Sequence, residues 1–228
     1  MDQTDLGEKH AILMLALRIG ERAIPLVWHV EKGEANIGSC EQIKLLEKVM
    51  KWFPEGAQPI LMGDRFYPSI SLFQWLRVHN FSWRVRLKGS IDLACSDIKV
   101  NKVSDLSQRY KHQTFFDSKA LLFNAEFPCS IGWIWDEDHA EGWAICMDCK
   151  ATRATTLDYG CRWSIEPMFS DFKSRGFNLQ TTQIRIPQRL SKMVLLVALA
   201  IRICIAVGDE SVKKTLHEVQ TTNSDECA

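Results

Sequence analysis

Apolar and polar positions change period several times along the chain, and each change marks an element. His10 to Ile19 is apolar nearly throughout, and Arg22 to Val30 carries Ile24, Leu26, Val27 and Trp28. Both runs read as strands, and Gly20-Glu21 between them reads as a hairpin turn. Ile37 to Phe53 repeats Ile43, Leu46, Val49, Met50 and Phe53 at helical spacing, with Ser39 as N-cap and Gln42 three residues on. Pro59 to Asp64 is a short apolar strand that stops at a carboxylate. Pro68 opens a helix to about His79, and Trp83 to Lys88 alternates with period two, as a strand does. From Gly89 to Lys150 the pattern is β-like and irregular, with no long helix. A helix then covers Tyr159 to Lys173 and stops at Gly176. Another starts near Pro187 and runs to about Val207. Residues 209–228 are expected to form a tail that opens with a short helix and ends polar and disordered. This order of elements is α/β with antiparallel strands first.

Composition adds a globular core: 46% of the 228 residues are apolar and 25% charged. Lys+Arg and Asp+Glu both number 28. A net charge of zero weighs against nucleic acid as a partner for the chain as a whole. It leaves room for a local basic patch, and Lys173, Arg175, Arg185, Arg189 and Lys192 form one. The eight cysteines follow no disulfide framework and no signal peptide precedes them, which fits free thiols in a cytoplasmic protein. Cys146 and Cys149 make a single CxxC. A zinc-stabilised module would need Cys161 and either Cys129 or His139 to complete it. Met193 to Val207 is apolar except for Arg202, but 15 residues are too few for a membrane span, so a buried helix is expected there.

Two places carry candidate chemistry. Asp64 ends an apolar strand, a usual place for a site in an α/β sheet. Tyr159, Arg162, Glu166 and Lys173 stand at offsets of 0, 3, 7 and 14, which on one helix brings them within an arc of roughly 60°. A carboxylate flanked by cations suits a metal ion and a phosphate. An ordinary solvated helix face with an i, i+4 ion pair is the other reading of the same spacing. Pro167 follows Glu166 directly, so the helix either kinks there or begins there, with Tyr159 and Arg162 in an irregular lead-in.

The spacing Tyr159-(2)-Arg162-(3)-Glu166-(6)-Lys173 resembles the Y-(2)-R-(3)-E-(6)-K signature of insertion-sequence transposases with an Asp-Asp-Glu core, in the group founded on insertion sequence four. The resemblance extends over residues 2 to 208. Asp2-Gln3-Thr4 fits the first aspartate, with Asp5 as fallback, and Gly63-Asp64-Arg65-Phe66 fits the second. It implies a ribonuclease-H-like fold, a mixed sheet with flanking helices. Residues 1–208 would be the catalytic domain and 89–150 its β-rich insertion. The activity it implies is divalent-metal-dependent DNA cleavage and strand transfer. Asp2, Asp64 and Glu166 would be the catalytic residues and ligands of Mg2+, with Mn2+ able to substitute. Tyr159, Arg162 and Lys173 would contact element-end phosphates. Trp133, Trp135 and Trp143 would either grip a flipped base or pack in the sheet. The implied partners are DNA and, on DNA, a second copy of the chain, with no membrane. Members of the group carry an N-terminal DNA-binding region and more of the first strand than stands ahead of Asp2, so an N-terminally truncated fragment is expected. A non-catalytic protein that associates with full-length transposase and inhibits transposition is the alternative.

Overall fold

The computed structural model describes residues 1–6, 9–33, 36–135 and 140–225, with side chains through Gly208 and at Glu210. Strands β1 (Asp2–Leu6), β2 (His10–Ile19) and β3 (Arg22–Lys32) form an antiparallel three-stranded sheet. The β2–β3 turn is tight because Gly20 takes φ +59°, a conformation open to glycine at little cost. Ala11, Leu13 and Leu15 face one side of β2, and Ile12 and Met14 face the other. Burial on both faces is why β2 reads as a continuous apolar run rather than an alternating one.

Helix α1 (Ser39–Met50) packs Leu45, Leu46 and Val49 into the first core. Its start differs from the capping box expected at Ser39. The cap is Gly38, and Gln42 Nε2 instead donates to the Ile37 carbonyl at 2.9 Å. Ser39 Oγ is engaged by Ser71 Oγ at 3.1 Å, which ties α1 to α2 (Ile70–Val78). Helix α2 is capped by Ser69, whose hydroxyl oxygen accepts from the Leu72 N–H at 3.3 Å.

Strands β4 (Ile60–Gly63) and β5 (Ser82–Arg86) pair in parallel. Next come β6 (Leu93–Ala94), α3 (Val103–Arg109), β7 (Thr114–Leu122), β8 (Phe127–Ile134) and β9 (Trp143–Met147). They join β4 and β5 in one mixed sheet of order β4-β5-β9-β8-β7-β6. The β-rich stretch is thus continuous with the strand that leads to Asp64, because β9 pairs antiparallel with β5 and sets Val85 opposite Cys146.

The segment expected as one helix, Tyr159 to Lys173, follows α4 (Arg153–Leu157) without a break and stays helical, but its hydrogen bonding changes from a 3-10 turn (Asp158–Ser164) to α5 (Ile165–Ser170) to a π-turn (Asp171–Arg175). Proline offers no backbone N–H. The structure accommodates Pro167 by starting α5 at Ile165, which puts the proline in the first turn, where that N–H has no partner to lose. Helix α6 begins at Pro187 as expected and continues to Asp225, so the helix expected to open the tail runs on as part of α6. No proline and no further glycine after Gly208 interrupts it.

Leu190, Val194, Val197 and Ile201 form the buried stripe of α6, and Trp28 Nε1 on β3 donates to Ser191 Oγ at 2.9 Å. Pro187–Gly208 is 22 residues long and apolar enough to cross a membrane by length and composition, longer than the stretch counted from sequence. Its packing in the second core, with α5 and β2, makes it a core helix on one side. The architecture is therefore α1 and α2 on one face of the strands and α5 and α6 on the other. The two sheets meet where the Met1 backbone nitrogen donates to the Met62 carbonyl at 2.8 Å. β1 consequently lies between β2 and β4, and this sets Asp2 beside Asp64.

Candidate active site at the junction of two sheets

Asp2 opens β1 with its side chain on the α5 face. Its Oδ1 accepts from the Gln3 N–H at 2.9 Å and its Oδ2 accepts from Arg162 Nη1 at 2.8 Å. Period-two alternation sends Asp5 to the other face with Gln3, whose Oε1 accepts from the Ile37 N–H on the α1 side. The fallback carboxylate therefore points away from Arg162. Asp64 follows the last residue of β4. Its Oδ1 accepts from the Phe66 N–H at 2.8 Å and its carbonyl from the Tyr67 N–H at 3.2 Å, a tight turn that holds the carboxylate at the strand end. The Tyr67 ring lies over Gly63, where a Cβ would stand 3.1 Å from it, a tight contact that glycine avoids.

Glu166, on α5, receives Arg162 Nη2 at 2.6 Å. One guanidinium thus bridges the carboxylates of β1 and α5 and is itself largely buried, while the Glu166 side chain is 56% exposed. The i, i+4 pair forms although its two residues lie in different helical conformations, a 3-10 turn and an α-helix. Lys173 sits half-buried in the π-turn, with no ion pair among the described residues. Tyr159 is buried, with its ring edge against Trp143 and the Arg162 guanidinium 5.7 Å from its centre.

Charge is concentrated in this small volume. Burial pushes the Asp2 carboxyl above its ordinary value; Arg162 opposes that shift and the charge of Asp64 adds to it. Burial also works against the Arg162 charge, but Tyr159, Asp2 and Glu166 outweigh it and hold the guanidinium above its ordinary value. Tyr67 is 3% exposed and its hydroxyl has no hydrogen-bond partner among the described residues; burial, then Asp2 and Asp64, raise it well above the ordinary phenol value. Sequence reasoning missed Tyr67, whose only signal was standing three residues after Asp64.

It also missed Arg84, which is buried on β5. Arg84 donates to the Trp83 carbonyl at 2.7 Å, the Thr155 carbonyl at 3.1 Å and Asp148 at 3.2 Å, fastening α4 to β5. The alternation Arg84-Arg86-Lys88 was visible in sequence. Only the packing of α4 over one end of that row distinguishes the buried arginine from the other two.

Beside Asp64 lies a cleft of about 560 Å³ lined by Arg65, Phe66, Arg86, Lys88, Trp135 and Glu141, among others. Glu141 pairs with Arg86 at 2.7 Å and Arg65 at 3.6 Å, and Lys88 stands 4.1 Å over the Phe66 ring. Trp135 is half-buried at this cleft. Trp133 is buried, donates to the Tyr110 carbonyl at 3.0 Å and packs its ring on Gly142, and Trp143 is buried against Tyr159 and Trp163. For those two residues the packing reading describes their surroundings.

Among the described residues no three His, Cys, Asp or Glu side chains come together as a metal site. For the zinc module, Cys129 and Cys146 are buried, Cys149 is half-buried and His139 lies outside the described residues. For the carboxylates, Arg162 occupies the space between Asp2 and Glu166.

A model of the transposase DDE domain family matches residues 26–203. That span takes in Asp64, the three tryptophans, Tyr159, Arg162, Glu166 and Lys173, and leaves Asp2 outside. Among curated proteins none matches the chain. The matched span is well over half of the 228 residues, and the chain belongs to the family of transposase DDE domains.

Proposed function

We propose that the chain is the catalytic domain of a cut-and-paste DNA transposase of the group founded on insertion sequence four, built on a ribonuclease-H-like fold. Asp2, Asp64 and Glu166 are its three carboxylates. The observation that carries this reading is the adjacency of Asp2 and Asp64 at the junction of the two sheets, with Arg162 linking Asp2 to Glu166. The donor set fits a hard divalent cation such as Mg2+, or Mn2+ in its place: all the donors are carboxylate oxygens, and one of them, Asp2, is buried beside a second anion. Asp2 and Asp64 would hold it, and Glu166 joins them once Arg162 turns out toward phosphate. When bound, such ions activate the attacking oxygen and steady the leaving oxygen.

The residues of the chain supply the rest. Arg162 exchanges its single bonds to two carboxylates for phosphate oxygens, which its fork can engage bidentately. Tyr159 supports that guanidinium from beneath, and Lys173 adds a charge two turns beyond Glu166. Arg65, Arg86 and Lys88 draw the strand along the cleft, and Trp135 offers a ring to an unstacked base. Hydrolysis at the element end frees a 3′-hydroxyl, which then attacks a target phosphodiester. Two copies of the chain on DNA would let both element ends react together.

The test is nicking of supercoiled plasmid in Mg2+ or Mn2+ by the purified chain beside its Asp64→Asn and Glu166→Gln variants. The expected result is cleavage by the parent and a loss of at least about 1,000-fold in both variants, set by the several kcal/mol such groups contribute. Equal cleavage by Glu166→Gln would remove it from the site. A second reading, a non-catalytic protein that associates with full-length transposase and inhibits it, is favoured by the exposed apolar row Leu196, Leu199, Ile203 and Val207 on α6. Co-purification with full-length transposase and no cleavage by any variant would favour it.

A further inference from the structure

The parallel strands β4 and β5 end at the edge of the mixed sheet where antiparallel β9 begins. Three charged side chains meet there. Arg65 stands two residues past the end of β4, Arg86 is the last residue of β5, and Glu141 stands two residues ahead of β9. The edge beyond the carboxyl ends of parallel strands is a usual place for a ligand. Sheet packing fixes Glu141 to it. A Cβ on Gly142 would come 2.2 Å from the Trp133 ring, a contact no side chain makes without displacing that buried indole. Trp143 then pairs with Ile134, and the Ala144 carbonyl accepts from the Leu87 N–H at 2.8 Å.

One carboxylate oxygen of Glu141 serves both arginines. Arg86 Nη2 donates to Oε1 at 2.7 Å, and Arg65 Nη1 lies 3.6 Å from the same atom. A guanidinium holds a carboxylate or a phosphate most firmly through two parallel N–H groups, and one shared oxygen falls short of that. The Glu141 side chain is also 61% exposed, and an ion pair so open to water is weak. Lys88, 4.1 Å over the Phe66 ring, adds a third cation to the same cleft of about 560 Å³. The cleft therefore carries three cations and one loosely held carboxylate.

We propose that Arg65 and Arg86 form a clamp for one phosphodiester group, and that Glu141 is its built-in stand-in, which a nucleic-acid strand displaces on entering the cleft. This rests on the reading of the cleft as the path of the strand. A phosphodiester carries one negative charge, as a carboxylate does, so the exchange keeps the charge between the arginines unchanged. It replaces one shared oxygen by two phosphate oxygens, one for each guanidinium. The freed Glu141 turns to water, which already reaches most of it. A strand that brings no phosphate between the arginines leaves Glu141 in place and meets its charge. Glu141 thus lowers affinity for every strand and lowers it most for a strand that fits badly.

The experiment measures fluorescence anisotropy of a labelled mixed-sequence DNA, single-stranded and duplex, with the full chain in EDTA so that nothing is cut. Glu141→Gln keeps the size of the side chain and removes its charge. It is expected to bind at least about 5-fold tighter than the parent, the scale of an exposed ion pair. Its log affinity should also fall with log salt more steeply, by up to about one in slope. With Arg65→Gln and Arg86→Gln also in place the gain should shrink below about 2-fold, because no clamp is left to unmask. A carboxylate acting only through its general field gives the same gain with or without the arginines, so a persistent gain overturns the proposal. Equal or weaker binding by Glu141→Gln, with binding still lost in the arginine double variant, removes the stand-in role and leaves the reading of the cleft intact. Absence of binding by the parent and every variant at low salt removes nucleic acid from the cleft, and the proposal falls with that reading.

Discussion

At the scale of single residues, the site stores polar groups that lack a partner. The Tyr67 hydroxyl is buried and unbonded, and a buried unsatisfied hydroxyl costs about 1–3 kcal/mol. Tyr67→Phe is therefore expected to leave stability unchanged or raise it by about 1 kcal/mol in urea unfolding. A loss above about 1 kcal/mol would mean the hydroxyl is bonded after all. Cys95 makes the second residue-scale prediction. Burial, then the charge and hydrogen bond of Asp117, push its thiol from an ordinary value near 9 up to about 12. A pKa raised in the folded state favours folding below the unfolded value and loses that contribution as pH climbs from 9 toward 12. Alkylation of Cys95 by iodoacetamide in the native chain should keep accelerating above pH 9, where the unfolded chain levels off. A native plateau at that pH would contradict the shift.

Single elements are held by contacts that leave no slack. α4 lies on β8 so closely that a Cβ on Gly132 would come 2.0 Å from Thr156 Oγ1, and that hydroxyl is already spent on the Thr152 carbonyl at 2.7 Å. Gly132→Ala should cost about 1–3 kcal/mol by overpacking, with the loss read in a urea midpoint and partly recovered by Thr156→Ala in the same chain. An unaltered midpoint for the single variant would show that α4 can lift from the sheet. The contact matters to the site because α4 leads directly into the 3-10 turn that carries Tyr159 and Arg162. Arg84 grips the same region from β5. Helix and turn are thus anchored before Glu166 is reached, and the chain stays helical from α4 through α5.

The whole molecule combines a closed core with an open surface. α6 buries one stripe and exposes Leu196, Leu199, Ile203 and Val207 along its other side. Leu196→Lys with Ile203→Lys should shift the unfolding free energy by no more than about 0.5 kcal/mol per site, since both side chains are mostly exposed, while raising its solubility. A cooperative loss of fold would mean that this face is covered within the molecule. Much of this architecture is legible in the residues. Local spacing alone determined the β2–β3 hairpin, α1, α2, β4 ending at Asp64, β5 and the start of α6, because hydrophobic period and turn chemistry act over a few residues. The four-residue spacing around Glu166 likewise lies within the span that the family model matches. Tertiary structure decided what depends on distant chain segments. It joined the β-rich stretch to β5, gave the signature segment three successive kinds of helical turn, buried Trp133, Trp143 and Tyr159, and turned Asp5 away while Asp2 met Arg162. Asp2 and Arg162 are 160 positions apart, and no local period reports a contact of that span. Such a contact exists only once β1 is set between β2 and β4, and that placement is a property of the packed sheets.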